Sequence, residues 1–402
     1  MKILSASFFD MLMNHMCSFF QALTASIIML LAGCMQTASA KSADNGDISS
    51  DKGGVALKFD DGSIRRVDFY ADNIFRVFQD GHGGAFRDPE ASPEARMLVD
   101  NPRKETNKID VKATDNGFFV TSKRIQVCFD KMSGRMTVKN LNNGRIVMAE
   151  TAPPTIAQKE SGLTLRENPG EYFYGGGVQN GRFSHKGQVI NIVNENSWTD
   201  GGVCSPCPWY WSTAGYGILF YTFSPGSYDF GAKHKGEVHL SHRTDYLDFF
   251  VMVDDGATAL LRDYYQLTGN PVLLPKFGFY EGHLNAYNRD YWKETDKGGV
   301  LFEDGKRYVE SQKDNGGIRE TLNGEKQNYQ FSARAVIDRY RAHDMPLGWI
   351  LPNDGYGAGY GQTSTFDGNI ANLKDFGDYA RKNGVEIGLW TQSDLHPMDT
   401  IP

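Results

Sequence analysis

Leu347–Gly361 reads LGWILPNDGYGAGYG. A short apolar run, Leu347–Leu351, stops at Pro352-Asn353-Asp354, and a loop rich in glycine and tyrosine follows. Such a run, bounded by turn formers, reads as a buried parallel strand that delivers an aspartate into the loop at its C-terminal end. Upstream, Ser332–His343 carries Ala335, Val336, Ile337 and Tyr340, which suits a helix covering a sheet. Downstream, Ile370–Asn383 puts Ile370, Leu373, Phe376, Tyr379 and Ala380 on one helical face, and Gly384 ends it. The next strand, Val385–Trp390, runs into Thr391-Gln392-Ser393-Asp394. Strand alternating with helix, with polar residues after each strand, is the grammar of a βα barrel.

Everything N-terminal to this stretch has another rhythm. From Gly53 to about Asn270 short strand-like runs recur, among them Ile64–Tyr70, Phe118–Ser122, Arg124–Asp130 and Tyr246–Val253. Asp115-Asn116-Gly117 and Asn142-Asn143-Gly144 are tight-turn signals between such runs. This spacing predicts an antiparallel β-sandwich. Ala257–Leu267 then reads as an amphipathic helix, ended by Thr268-Gly269-Asn270-Pro271, where a domain boundary falls. Phe277–Gly282 is expected to be the first barrel strand, and Asp290–Gln330, charged and poor in apolar residues, an insertion loop between that strand and its helix. The expected class is therefore α+β and multidomain. Residues 1–40 form a targeting segment, 41–270 a sandwich, and 271–402 the first three βα units of a truncated (β/α)8 barrel with an insertion at about 290–330.

Composition narrows the function. A net charge of −7 argues against nucleic acid as the main partner. The aromatic content is 12%, and Pro206–Gly217 and Asn194–Asp200 concentrate Trp and Tyr. Such clusters hold sugar rings in some proteins and simply pack cores in more of them. Glu171–Asn180 (EYFYGGGVQN) interrupts the strand pattern, lacks GxGxxG spacing, and reads as a tight loop where backbones approach closely. The nine histidines are scattered and no metal-ligand spacing occurs, so neither metal nor cofactor is implied.

The N-terminus carries an apolar run, Phe19–Leu31, leading into Leu31-Ala32-Gly33-Cys34. This resembles the lipobox of bacterial lipoproteins, which implies lipidation at Cys34, a lipid anchor, and export to the periplasm or outer membrane. Ala38-Ser39-Ala40 is a rival cleavage site. Cys128 lies in a strand-like run and reads as a small buried hydrophobe. Cys204 and Cys207 form a lone CxxC, open to a local disulfide or a reduced pair, with no catalytic role assigned.

From Gly53 to Pro402 the order of parts resembles glycoside hydrolase family 31. Phe173–Gln179 (FYGGGVQ) resembles the family's Tyr-Gly-x-Gly-Glu segment, with Gln179 in the place of the usual Glu. Pro208–Gly217 resembles a segment ending in Ser-x-x-Gly-Tyr-Gly, and Leu260–Pro275 (LLRDYYQLTGNPVLLP) resembles the entry to the family's barrel. Trp349–Tyr356 stands where the second barrel strand usually ends in Asp-x-Asp-Tyr. Its Pro-Asn-Asp-Gly-Tyr-Gly is more similar to the branch acting on α-1,6- and α-1,3-linked glucans, such as isomaltosyl-releasing enzymes and dextranases.

The resemblance implies a retaining enzyme acting on α-glucosides or α-glucan oligosaccharides. It needs two carboxylates about 5–5.5 Å apart, one attacking the anomeric carbon, the other protonating the leaving oxygen. In the family the nucleophile follows the fourth strand and the acid lies later, so neither is expected before Pro402. Three βα units cannot close an eight-strand barrel, and on this reading the chain is a fragment of a longer enzyme. The remaining candidates are binding residues. Asp354 matches the aspartate that accepts hydroxyls of the sugar in the −1 subsite, although Asn-Asp-Gly is also good turn chemistry. Tyr356, Trp390 and His283 are the further substrate-binding candidates; Glu281, Gln392 and Asp394 also fall at strand C-termini, where barrel sites are built. The rival reading is a non-catalytic, surface-tethered carbohydrate-binding lipoprotein, and a third makes Asp354 with Asp394 or Glu281 an active pair.

Overall fold

The computed structural model describes residues 47–51, 54–81, 96–106, 108–195, 197, 199–283, 291–311, 317–319, 329–351 and 369–388. Two compact units divide between Pro271 and Val272.

The first unit is almost wholly β. In chain order its strands are β1 (Ile48–Asp51), β2 (Gly54–Lys58), β3 (Ile64–Ala71), β4 (Ile74–Asp80), β5 (Asp110–Ala113), β6 (Gly117–Thr121), β7 (Ile125–Asp130), β8 (Met136–Asn140) and β9 (Ile146–Ala149). Then follow β10 (Thr155–Ala157), β11 (Glu160–Arg166), β12 (Phe173–Gln179), β13 (Val189–Ile192), β14 (Val203–Ser212), β15 (Tyr216–Phe220), β16 (Gly226–Phe230), β17 (Glu237–His242) and β18 (Tyr246–Val253). They make an eight-stranded sheet, β1-β2-β3-β4-β18-β15-β14-β12, and two five-stranded sheets, β5-β6-β7-β8-β9 and β10-β11-β17-β16-β13.

Period-2 alternation builds the layers. On β18, Leu247, Phe249, Val251 and Val253 enter the main core, where Phe118, Val127, Leu165 and Phe230 of the smaller sheets also lie. The intervening Phe250 and Met252 face the other way, with Leu219 and Trp209, under the helix α1 (Ala257–Thr268). Both faces of the strand are thus covered, and its sequence, YLDFFVMV, is correspondingly apolar nearly throughout. Gly269, at φ 90°, ends α1 by donating its N–H to the Tyr265 carbonyl.

One expectation changes here and one open alternative is decided. The glycine run is not a loop but the bulged edge strand β12, with register shifts between Gly175 and Gly177 and between Val178 and Gln179. The close approach is real: a Cβ on Gly177 would lie 2.1 Å from the Ser205 carbonyl oxygen, and one on Gly175 2.6 Å from that of Trp209. Cys204 and Cys207 are both free thiols on β14. Cys204 Sγ donates to the Ser197 carbonyl at 3.0 Å, whereas Cys207 Sγ lies 3.6 Å from Tyr264 Oη under α1. An odd spacing along a strand sends the two to opposite faces, so no local bridge forms.

The second unit holds a three-stranded parallel sheet, β19-β24-β25. β19 is Glu281–His283, β24 Trp349–Leu351 and β25 Glu386–Ile387. Helix α2 (Ala333–Ala342) precedes β24 and α3 (Asn369–Lys382) precedes β25. Ser332 caps α2, its Oγ accepting from the Ala335 N–H at 3.2 Å. Ala333, Ile337, Phe376, Ala380 and Val385 cover Ile350 in one small core. The first strand is shorter than expected. Lys276–Phe279 forms a 3-10 turn after Pro275 (φ −60°), with Gly278 N–H bonded to the Pro275 carbonyl, and only Glu281–His283 joins the sheet.

The stretch expected to be an insertion loop also has structure. β20 (Tyr291–Glu294), β21 (Val300–Leu301), β22 (Arg307–Ser311) and β23 (Ile318–Arg319) form an antiparallel sheet in the order β21-β22-β20-β23. Trp292, Phe302 and Tyr308 all pack on Phe331, with ring centroids 5.8, 4.8 and 5.0 Å away. Four aromatic rings suffice as a nucleus where aliphatic residues are few.

Candidate functional site

The parallel sheet positions the candidate residues. Glu281 pairs with Trp349, and Trp349 with Glu386; one residue on, Gly282 pairs with Ile350 and Ile350 with Ile387; His283 pairs with Leu351. Strand alternation divides these rows between two faces. Ile350 turns to the helices. Trp349 turns to the opposite face, where its indole crosses β25: a Cβ on Gly388 would lie 2.5 Å from Trp349 Cζ3. The indole Nε1 donates to the Gly278 carbonyl at 3.3 Å, which fixes the ring. Close seams hold the strands in register. Gly348 N–H donates to the Tyr280 carbonyl at 2.7 Å, and a Cβ on Gly348 would meet the Phe277 carbonyl oxygen at 2.1 Å.

One row of the face away from the helices therefore carries Glu281, Trp349 and Glu386, two exposed carboxylates flanking an indole. Reading the sequence for strand C-termini found Glu281 but passed over Trp349 and Glu386. The signal was present: in a parallel pair, residues aligned in register share a face, and Trp349 and Glu386 stand at corresponding positions of their strands.

All three strands point the same way, so their C-terminal ends share one edge of the sheet. His283 is the last residue of β19 and stands at that edge. Asp354 and Tyr356 follow Leu351 by three and five residues and lie outside the described residues, as do Trp390, Gln392 and Asp394. Cys34 also lies outside them. Among the described residues no three His, Cys, Asp or Glu side chains converge to hold a metal ion.

In the first unit the aromatic-rich strand β14 is mostly committed to packing. Tyr210 is fully buried against Phe230 and Tyr228, with centroids 5.1 and 5.8 Å away. Trp209 packs on Tyr264 of α1 at 4.5 Å, and Trp211 stacks on Tyr174 of β12 at 4.5 Å. Gln179 explains its own departure from the usual Glu. Its Nε2 donates to the Gly176 and Asn191 carbonyls, each at 3.0 Å, tying the glycine run to β13. A carboxylate accepts only and could make neither bond.

Residues 65–229 match the glycosyl hydrolase 31 N-terminal galactose mutarotase-like domain. Among curated proteins the chain is 30% identical over 148 residues to an alpha-xylosidase of Emericella nidulans, covering 35% of this chain and 18% of that protein. It is 26% identical over 226 residues to the alpha-xylosidase XylQ of Lactiplantibacillus pentosus, covering 53% of this chain and 27% of the relative. The chain thus spans well under a third of the length of these relatives. Among solved structures it resembles in fold a GH31 dextranase of Flavobacterium johnsoniae complexed with glucose (TM-score 0.65, 14% identity, 85% of this chain and 37% of that one). It likewise resembles a GH31 alpha-xylosidase from a soil metagenome complexed with xylose (TM-score 0.60, 16% identity, 86% and 47%). The N-terminal part of the chain, residues 65–229, thus carries a glycosyl hydrolase 31 N-terminal domain.

Proposed function

We propose that these residues are the N-terminal part of a retaining α-glycosidase acting on α-glucosides or α-glucan oligosaccharides. The observation that carries this reading is the union, in one chain, of a family 31 N-terminal domain with a parallel sheet whose C-terminal edge leads into the Asp354 and Trp390 segments. On this reading residues 271–402 are the first three βα units of a (β/α)8 barrel, and 290–330 decorates the first of them. Asp354 accepts two sugar hydroxyls, and Tyr356, Trp390 and His283 line the same pocket. On the same reading the nucleophile and the acid/base follow later barrel strands and are not supplied by these residues.

The names of the curated relatives favour an α-xyloside as the second substrate class. The dextranase seen with isomaltotriose supports an α-1,6-linked glucan. Titrating the chain with isomaltotriose and with an α-xyloside, beside Asp354→Ala, separates these. Loss of charge-assisted hydrogen bonds is expected to weaken binding of the preferred sugar by roughly 10–150-fold. Neither protein should hydrolyse an aryl α-glucoside. Turnover that Asp354→Ala abolishes would mean that the catalytic pair lies within these residues. Export as a lipoprotein is proposed from the Leu31–Cys34 segment alone, and loss of palmitate labelling in Cys34→Ser checks it.

A further inference from the structure

Helix α2 is used on two sides. One side buries Ala333 and Ile337 in the parallel-sheet core. Ala335, Asp338, Arg339, Ala342 and His343 recur at helical spacing along another stripe, and this stripe floors a cavity of about 620 Å³. Its other walls come from Glu303, Asp304 and Tyr308 of the inserted sheet and from Tyr329-Gln330. The two alanines keep the floor low, so the space is set by side-chain size at two positions about two helical turns apart.

The polar groups are held in place before any ligand arrives. Tyr308 Oη and Gln330 Nε2 donate to Asp304 Oδ2 at 2.6 and 2.9 Å. Tyr379 Oη donates to Asp338 Oδ1 at 2.5 Å, and Tyr329 Oη donates to its Oδ2. Arg339 pairs with Glu303, one contact being 3.2 Å, and also donates to the Gln330 carbonyl. The Tyr308 and Gln330 hydrogen bonds hold the Asp304 carboxyl below its usual range. Partial burial opposes the Arg339 bond at Glu303, and the carboxyl still falls below its usual range.

Each ionised carboxylate has about four acceptor positions, of which the protein fills two at Glu303 and Asp338 and three at Asp304, where the Lys306 N–H also donates. The remainder suits a ligand rich in hydroxyl groups. Three carboxylates against one guanidinium repel an anion. A metal ion is disfavoured because no three such groups converge among the described residues. The Tyr329 ring, 42% exposed, adds surface on which a sugar ring can lie, whereas Tyr308 is buried against Phe302 and Phe331. The C-terminus of α2 feeds the start of β24, so the Ala342–His343 end of the cavity flanks the opposite end of the strand from Leu351.

We propose that this cavity is a secondary, non-catalytic binding site for a neutral oligosaccharide, distinct from the strand C-terminal edge. The choice of sugar rests on the α-glucan reading above; the chemistry of the walls does not. The site would hold a distant part of a long substrate and raise its effective concentration at the first site.

The test uses the full chain carrying Ala342→Cys, at an exposed position. Alkylation of that thiol by iodoacetamide is followed by peptide mass spectrometry, with and without isomaltotriose. With the sugar at twice its Kd the rate should fall about threefold. Adding Asp338→Asn should remove the protection, each protein's rate with sugar being compared with its own sugar-free rate. An unchanged rate in a preparation that still binds isomaltotriose through Asp354 would overturn the secondary site alone. An unchanged rate with no Asp354-dependent binding would overturn both readings. Protection by spermidine but not by isomaltotriose would make the cavity an amine site and refute the proposal.

Discussion

Removing one partner of the ion pair inside the eight-stranded sheet should destabilise the first unit more than most single changes. Arg76 Nε and Nη2 lie 2.7 and 2.6 Å from the two oxygens of Asp248. The side chains are only 1% and 3% exposed, so neither charge can turn to water. The register places Arg76 opposite Phe250 and Asp248 opposite Phe78, so the pair bridges β4 and β18 diagonally. The guanidinium is also 5.5 Å from the Tyr221 ring centroid and 5.8 Å from that of Phe250. Arg76→Met leaves the carboxylate buried without its cation, a loss of about 3–5 kcal/mol. For a unit of this size that corresponds to a fall in Tm of roughly 6–20 °C. Replacing both partners, Arg76→Met with Asp248→Leu, removes the stranded charge and should recover most or all of the loss. Urea unfolding followed by tryptophan fluorescence gives the four corners of the cycle. A single variant within about 1 kcal/mol of the parent, or a double variant no better than the single, would refute the account of this pair as a desolvated, mutually dependent unit.

Three further outcomes are expected. Burial, opposed by nearby Arg65, raises the Glu150 carboxyl from 4.5 to about 7. Its contribution to stability is therefore fullest below pH 4.5 and is lost as pH rises towards 7, by about 3 kcal/mol in all. Glu150→Gln should gain on the parent between those limits in urea midpoints, and a constant difference across pH would contradict this. Burial lowers the His242 imidazole from 6.5 to about 4. Here stability is lost as pH falls from 6.5 towards 4, and His242→Gln should flatten that limb of the pH–stability curve. Gly177→Ala combines φ +80° with a Cβ placed 2.1 Å from the Ser205 carbonyl oxygen, and should cost roughly 2 kcal/mol or more. An unchanged unfolding midpoint would show that the β12 bulge relaxes freely.

What could be read from the chain divides by the range of the interaction involved. The Asn143-Gly144 and Asn116-Gly117 turns lie between strands that do pair, β8 with β9 and β5 with β6. Local chemistry decides the first of these, where Gly144 takes φ 73°, whereas Gly117 is already the first residue of β6. Helix α2 was likewise legible, since its apolar spacing and its Ser332 cap are both local. The glycine run was not. Three glycines look like a break, but they lie in a strand because β14 approaches too closely for a Cβ, and that approach is made by residues some thirty positions away. The inserted sheet was missed for a related reason. Trp292, Phe302, Tyr308 and Phe331 are spread over forty residues of charged and glycine-rich sequence, and only folding gathers them.

The sequence by itself determined the alternation of apolar residues, the turns, the helix boundaries and the succession of a β-rich part by strand–helix units. These depend on side-chain periodicity and backbone preference within a few residues. The tertiary structure alone decided which residues share a surface. It set Trp349 between Glu281 and Glu386, sent Cys204 and Cys207 to opposite faces, and joined a helical stripe to an inserted sheet around a cavity. Register and layer packing fix such meetings between residues far apart in the chain, and no local pattern encodes them.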